Sequence, residues 1–152
     1  MSHVTFYTLD TIGDERLPVL VCDLTTQLMR QSQRVLLLCK DQQQAEQYDE
    51  LLWQQPASAF VPHNLVGEGP TQGTAVLLAW LPLSGNTGHR SVVINLTGEA
   101  LEQAARFRRV IEFVPVAENA RAQAREIYRT YRQQGHQLEN LVAALTVEGH
   151  HG

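Results

Sequence analysis

The clearest indication of the architecture is a short apolar run, Arg34-Val35-Leu36-Leu37-Leu38-Cys39. A strand that is buried on both faces of a parallel sheet has this nearly continuous apolar character, whereas a half-exposed strand alternates apolar and polar residues. The run therefore predicts a central strand of a parallel sheet.

The segments on either side of this run alternate between strand and helix patterns. Upstream, residues 4–9 predict a strand and residues 15–32 a helix that tolerates Pro18 in its first turn. Downstream, Asp41 is a suitable cap for the next helix, which carries Leu51 and Leu52 on its buried face. Further along the chain we predict strands at 75–80, 91–96 and 109–114 and helices at 98–107, 117–134 and 137–146.

This alternation predicts one α/β domain with three layers, α/β/α, around a largely parallel sheet. The topology is Rossmann-like but lacks a phosphate loop, because Gly67-Glu68-Gly69 has no third glycine at the required offset and is better interpreted as a turn. Residues 1–147 are expected to form the domain. Residues 148–152 differ in character and are expected to be an added tail.

Composition restricts the classes of protein to consider. No segment of the 152 residues approaches the length of apolar sequence that a membrane span requires, and no signal-peptide pattern precedes the first strand, so a cytoplasmic location is expected. Cys22 and Cys39 are predicted to be buried free thiols. The six histidines show no metal-ligand spacing, and no catalytic set is visible. We therefore expect no cofactor, no metal and no enzymatic activity.

The net charge of −4 is unevenly distributed along the chain. Residues 1–105 contain five basic residues against eleven acidic ones, a balance of −6, whereas residues 106–132 contain seven arginines against three glutamates, a balance of +4. An acidic body with one arginine-rich flank is poorly suited to wrapping nucleic acid. It favours a short anionic ligand or an acidic peptide.

The predicted helix at 117–134 carries the clearest candidate site. Arg121, Arg125, Tyr128 and Arg132 fall at i, i+4, i+7 and i+11, which places them along one stripe of the helix. This pattern is compatible with an ordinary solvated basic face. It is also compatible with a site that binds a carboxylate while an apolar side chain packs alongside.

The long connection at 51–70 is the second candidate, because it holds several bulky apolar residues, three prolines and two glycines. Long ordered loops are often functional, and this one offers no nucleophile or metal spacing, which favours a surface for a protein partner. On sequence alone, a tryptophan at a helix end and a phenylalanine in a loop, as Trp53 and Phe60 are, more often belong to the core.

Several blocks of the chain together resemble the chi subunit family of bacterial DNA polymerase III. The most specific is Phe60-Val61-Pro62-His63-Asn64-Leu65 with Trp53, Pro56 and Gly67-Glu68-Gly69-Pro70; the others are residues 5–9, 34–36, 112–115 and 124–132. Residues beyond about 135 match poorly, and Arg121 stands where chi proteins have a lysine.

The resemblance implies a non-catalytic accessory subunit of the replicase with two protein partners. One is the acidic C-terminal tail of single-stranded-DNA-binding protein, which ends in Pro-Phe, at the positions Arg121, Arg125, Tyr128 and Arg132. The other is the psi subunit of the clamp loader, at the positions Trp53, Phe60, Val61, Pro62, His63, Asn64 and Val114. Contact with nucleic acid would be indirect. A module for a repair helicase and a small nucleotide-binding α/β domain remain as alternatives.

Overall fold

The computed structural model describes residues 1–55, 61–68, 74–83 and 87–145 of the chain. Within these ranges it contains seven strands and three α-helices. They are β1 (His3–Thr8), α1 (Leu17–Arg30), β2 (Val35–Cys39), α2 (Gln42–Trp53), β3 (His63–Leu65), β4 (Val76–Trp80), β5 (Val92–Asn95), β6 (Arg109–Val114), α3 (Glu118–Gln133) and β7 (Gln137–Val142).

All seven strands belong to one sheet in the order β3-β4-β2-β5-β6-β1-β7, and every neighbouring pair is parallel. The predicted apolar run forms β2, which lies inside the sheet and is buried over its whole length. Because the strands are parallel, all their carboxyl ends meet at one edge of the sheet and all their amino ends at the other. The prediction of an α/β fold with a parallel sheet is confirmed.

Alternation along the strands divides the apolar residues between two cores. On one face Leu37 and Cys39 of β2 pack with the apolar sides of α1 and α2. On the other face Leu36 and Leu38 belong to the core that includes Ile127 and Tyr131 of α3. The sheet is therefore sandwiched between helices, as the three-layer prediction requires.

Local features of α1 and α2 also follow the sequence. Pro18 lies in the first turn of α1, and the side chain of Asp41 caps α2 by accepting a hydrogen bond from the backbone N–H of Gln44 at 2.8 Å. Cys22 and Cys39 are buried free thiols, and burial raises the pKa of Cys22 to about 11. Among the described residues, none of the helices has both the length and the apolar character that crossing a bilayer requires.

The prediction of a final helix at 137–146 was wrong, because residues 137–142 form the edge strand β7. Leu138, Leu141 and Val142 are spaced as on a helix, and this spacing misled the interpretation. In the structure, Gly135 adopts φ +84 and turns the chain after α3. The following residues then pair with β1, which would otherwise have an unpaired backbone edge.

Two further predictions of secondary structure need correction. The helix expected at 98–107 is only a 3₁₀ turn at Ala104–Arg106, because the preceding backbone is held by tertiary contacts such as the bond from Leu101 N to the hydroxyl of Tyr131. The long connection at 51–70 contains the short strand β3, which pairs with β4. Its register makes His63 and Leu65 point into the protein.

Candidate functional site

The four residues predicted on α3 line a single open groove of about 430 Å³. We call this site the α3 groove. Its lining comes from α3 and from strands β6, β1 and β7, and comprises Phe6, Thr8, Val114, Arg121, Ala124, Arg125, Tyr128, Arg129, Arg132 and Asn140. The structure thus joins the predicted basic stripe to the surface of the sheet beside it.

The floor of the α3 groove is formed largely by apolar and aromatic side chains. Thr8 and Val114 are register partners on adjacent strands, and Phe6 is fully buried beneath the groove. The ring of Tyr128 packs on Phe6 with a centroid distance of 5.2 Å. An apolar side chain of a ligand could therefore pack on this floor while a charged group meets the arginines above it.

The four arginines of the α3 groove differ in how far they are engaged within the chain. Arg121 donates to a carboxylate oxygen of Asp10 at 2.8 Å, and this bond raises the pKa of its guanidinium. Arg129 pairs with Glu126 on the same helix. Arg125 and Arg132 are exposed and form no ion pair with the part of the chain that the structure describes. These two cations are the best placed to receive an external carboxylate.

The position of α3 depends on a contact that the sequence pattern did not indicate. The side chain of Asp14 accepts hydrogen bonds from the backbone N–H groups of Val116 at 2.7 Å and Ala117 at 2.9 Å. Ala117 itself, at the cap position, has no side chain that could do this. A carboxylate from the distant 3₁₀ turn Asp14–Arg16 therefore holds the first turn of α3, where its negative charge also interacts favourably with the positive end of the helix dipole.

Sequence reasoning also missed a buried carboxyl group beneath α3. Glu112 on β6 accepts hydrogen bonds from Asn95 at 2.6 Å and from the hydroxyl of Tyr131 at 2.7 Å, both at Oε2. Burial raises the pKa of this carboxyl to about 8, although both hydrogen bonds act in the opposite direction. The sequence feature that could have revealed this buried carboxyl is a glutamate between the apolar residues of β6. The network links β5 and β6 to α3.

One face of α3 is buried against the sheet. Ala124, Ile127 and Tyr131 are buried there, whereas Ala120, in the first turn, is exposed. The side chains that carry the groove are therefore held in place by three buried anchors on an adjacent face of the helix.

Residues of the second predicted site lie beside β3, the outermost strand on the side of the sheet opposite to β7, and around the carboxyl-terminal end of α2. Trp53 is 57% exposed, and its ring packs on His63 with a centroid distance of 4.9 Å. Pro62 is exposed, and Asn64 is half-buried. We call Trp53 and Pro62 the Trp53 surface. Phe60, the other predicted aromatic contact, lies outside the described residues.

Three other residues of this predicted site are engaged inside the chain. Val61 is fully buried, and the buried ring of His63 contacts the carbonyl oxygen of Val61 at 2.6 Å and a carboxylate oxygen of Asp49 at 3.3 Å. The amide of Asn64 donates to the carbonyl oxygen of Glu68 at 2.7 Å. Val61 and His63 therefore lie beneath the Trp53 surface, whereas Asn64 is half-buried.

Val114 does not lie with Trp53, although sequence reasoning grouped the two. It lines the α3 groove on β6, which is separated from β3 by the three strands β5, β2 and β4. Four strand spacings correspond to about 19 Å. Its position makes Val114 part of the floor of the α3 groove.

In the described residues, no group of three or more His, Cys, Asp or Glu side chains comes together as metal ligands. Gly67 lies in a turn with φ +87, as predicted for this segment, while Gly69 is outside the described residues.

Comparison with known proteins gives a consistent result. The family model described as DNA polymerase III chi subunit, HolC, matches residues 1–139. The chain is 40% identical to DNA polymerase III subunit chi of Escherichia coli (strain K12) over 142 residues, covering 91% of this chain and 96% of the relative. It is 37% identical to the subunit chi of Haemophilus influenzae, covering 78% and 82% of the two chains. It is 35% identical to that of Pseudomonas aeruginosa, covering 92% and 96%.

Proposed function

Because the chain belongs to the DNA polymerase III chi subunit family, a replication accessory subunit, we propose that it links the clamp loader to single-stranded-DNA-binding protein. In this proposal the α3 groove binds the acidic C-terminal tail of single-stranded-DNA-binding protein, which ends in Pro-Phe. The Trp53 surface binds the psi subunit of the clamp loader. The chain itself performs no catalysis.

One observation carries the proposal for the tail. The α3 groove combines a largely apolar floor with two exposed arginines, Arg125 and Arg132, that are not used in ion pairs within the described residues. An acidic peptide that ends in an aromatic residue has the complementary features. Its terminal carboxylate and acidic side chains would meet the guanidinium groups, and its ring would pack near Val114 and Tyr128.

The proposal for psi rests on the exposure and support of Trp53. An exposed aromatic ring is a typical anchor of a protein interface, and this one is held in place by the buried ring of His63. Phe60, adjacent in sequence to Val61, is included in the proposed contact. The same surface could serve a repair helicase, and competition with psi would test that alternative.

The two proposed sites are far enough apart to be occupied together. β3, beside the Trp53 surface, and β1, in the floor of the α3 groove, are separated by five strand spacings, or about 24 Å. A weak contact with one tail would gain avidity, because single-stranded-DNA-binding protein displays several tails along one DNA strand. Two sites on one rigid domain are sufficient for a tether.

The alternative of a nucleotide-binding domain has less support. A cavity of about 430 Å³ beside Leu81 and Thr97, which follow β4 and β5, has Glu99 and Glu102 in its lining, and their charges would oppose a phosphate. A second cavity at the carboxyl edge, beside Gly98 and Gln123, has a volume of about 150 Å³, whereas pockets for small ligands are usually about 300–1,000 Å³. The buried carboxyl of Glu112 is part of its lining. This cavity is poorly suited to a nucleotide.

A reconstituted bridge tests the proposed function. Single-stranded DNA coated with single-stranded-DNA-binding protein is immobilised, and retention of psi is measured with and without this chain. We expect retention only when the chain is present, with loss in Arg125→Ala because the tail is released and loss in Trp53→Ala because psi is released. Arg106→Ala, an exposed change outside the α3 groove, is the matched control. Retention of psi by both site variants would contradict the proposal.

A further inference from the structure

A second cluster of cationic and amide side chains lies at the amino edge of the sheet, where the strands begin. Here the surface forms a hollow of about 260 Å³, which we call the amino-edge hollow. Its polar lining consists of His3, Gln31, Gln33, Arg108 and Arg109. Each of these side chains can donate a hydrogen bond to an anion, and no carboxylate is among the described lining residues.

The donors of the amino-edge hollow are only partly used within the chain. Arg108 is exposed, and Arg109 is half-buried. In the described ranges their guanidinium groups take part in no side-chain hydrogen bond or ion pair. The amide oxygen of Gln33 accepts a bond from the hydroxyl of Ser91 at 3.1 Å, so its NH₂ group is the part left for a ligand. Two guanidinium groups and an amide therefore converge on one hollow.

A carboxylate next to the hollow has to be included in the electrostatic argument. Glu139 on β7 accepts hydrogen bonds from His3 at 2.8 Å and from Thr5 at 3.2 Å. The bond from His3, with a smaller contribution from Arg109, lowers the pKa of this carboxyl, so it stays ionised at neutral pH. Glu139 therefore reduces the attraction of the hollow for an anion.

Part of the negative charge of the chain lies far from this cluster. Asp10, Asp14 and Asp41 lie in the segments that follow the carboxyl ends of β1 and β2, whereas Arg108 and Arg109 lie at the start of β6. The two edges are separated by the length of a strand, about 16–20 Å for a strand of six residues. Charges at that distance are largely screened at physiological ionic strength, where the Debye length is about 8 Å.

In contrast to the expectation of indirect contact with nucleic acid, we propose that the amino-edge hollow binds a phosphate group, and specifically a phosphodiester of single-stranded DNA. Paired arginines are suited to phosphate oxygens, and contacts to the backbone alone give binding without sequence preference. DNA is favoured over a free phosphate because the chain belongs to a family of DNA polymerase subunits and Arg108 is open to solvent. The site would be separate from the α3 groove, because the amino-edge hollow lies where β1 and β6 begin and the α3 groove lies where these strands end.

Fluorescence anisotropy of a labelled oligothymidylate, titrated at low salt with the full chain, tests this inference. Arg108→Ala/Arg109→Ala is expected to weaken binding at least tenfold and to reduce the slope of log affinity against log salt by about 1.4, the value for two lost phosphate contacts on a single strand. Arg125→Ala, a matched loss of an exposed arginine elsewhere, should have a smaller effect. Glu139→Gln should strengthen binding, because it removes the opposing charge.

Several results would overturn the inference. One is equal affinity of the wild type and the double variant, with both shown to be folded by thermal unfolding. Another is a dominant loss in Arg125→Ala, which would place DNA on α3. Inorganic phosphate that binds as tightly as the oligonucleotide would identify a free phosphate as the ligand instead. Since Arg109 starts a strand, the exposed single change Arg108→Ala provides the same test with less risk to folding.

Discussion

The carboxylate of Asp10 lies 2.8 Å from the guanidinium of Arg121, so one of the four arginines in the α3 groove already has an acidic partner within the chain. Both groups are accessible to solvent, and the pair lies where an acidic ligand would approach. A ligand carboxylate would have to compete with Asp10 for Arg121. The chain thus carries an internal competitor for its own proposed ligand.

Removing this competitor is predicted to strengthen tail binding. Exposed ion pairs contribute little, because water and salt screen them, so Asp10→Asn should increase the affinity for an acidic peptide only a few-fold. Peptide titration at low salt measures the change. Glu46→Gln, which removes one negative charge from α2, is the control for a general electrostatic effect. An equal gain in both variants would contradict the local competition.

Substitution of the buried Glu112 is predicted to change how stability depends on pH. Its pKa is about 8 in the folded chain against an ordinary value of 4.5, so the folded state holds this proton more tightly than the unfolded state. The contribution of this carboxyl group to the free energy of unfolding is fully present below pH 4.5 and is lost as the pH rises through 8. The loss is a few kcal/mol, with about 5 kcal/mol as an upper bound.

Denaturant unfolding of the wild type and Glu112→Gln between pH 5 and 9 measures this effect. The wild type should lose stability relative to the variant as pH increases, because the amide cannot ionise. Parallel stability curves over this range would show that Glu112 does not have a raised pKa in the folded chain.

Trp53→Ala is predicted to weaken psi binding about 30-fold or more, since truncating an aromatic anchor commonly costs at least about 2 kcal/mol. Phe60→Ala should weaken psi binding as well, whereas Arg125→Ala should leave it intact. Because Trp53 is 57% exposed in the free chain, its loss should change thermal stability little. Isothermal titration with psi checks the prediction, and equal losses in Trp53→Ala and Arg125→Ala would count against two separate sites.

His63 is predicted to act on the same interface indirectly, as a positioning residue. His63→Gln removes the ring on which Trp53 packs, so we expect a several-fold loss of psi affinity together with a shift in tryptophan fluorescence of the free chain. The shift distinguishes misplacement of Trp53 from a lost direct contact. Asp49→Asn keeps the ring and should have a smaller effect on both readouts. An unchanged emission spectrum with weakened binding would contradict the positioning role.

The fold was largely predictable because its signals are local. The apolar run at β2, the cap at Asp41 and the apolar spacing along α1 each specify an element without knowledge of its neighbours. β7 was mispredicted because its leucines have helical spacing, and only the open edge of β1 makes it a strand. Pairing with a distant segment cannot be inferred from such a pattern.

The α3 groove was predictable only in part, for the same reason. Regular spacing along one helix is enough to group Arg121, Arg125, Tyr128 and Arg132 on a common stripe. The floor, the competing Asp10 and the supporting Asp14 come from segments far away in sequence. Val114 was assigned to the other site, because a single strand residue gives no local sign of which helix lies above it.

The proposed function rests on one claim, that the α3 groove recognises an acidic chain terminus that ends in an aromatic residue. The most direct measurement is fluorescence anisotropy of a labelled acidic peptide ending in Pro-Phe, titrated with the wild type and with Arg125→Ala. The peptide is tested in two forms, one with a free terminal carboxylate and one with an amidated terminus. We predict micromolar binding that weakens with salt and with amidation and is lost in Arg125→Ala. Equal binding of both peptide forms by both proteins would contradict the claim.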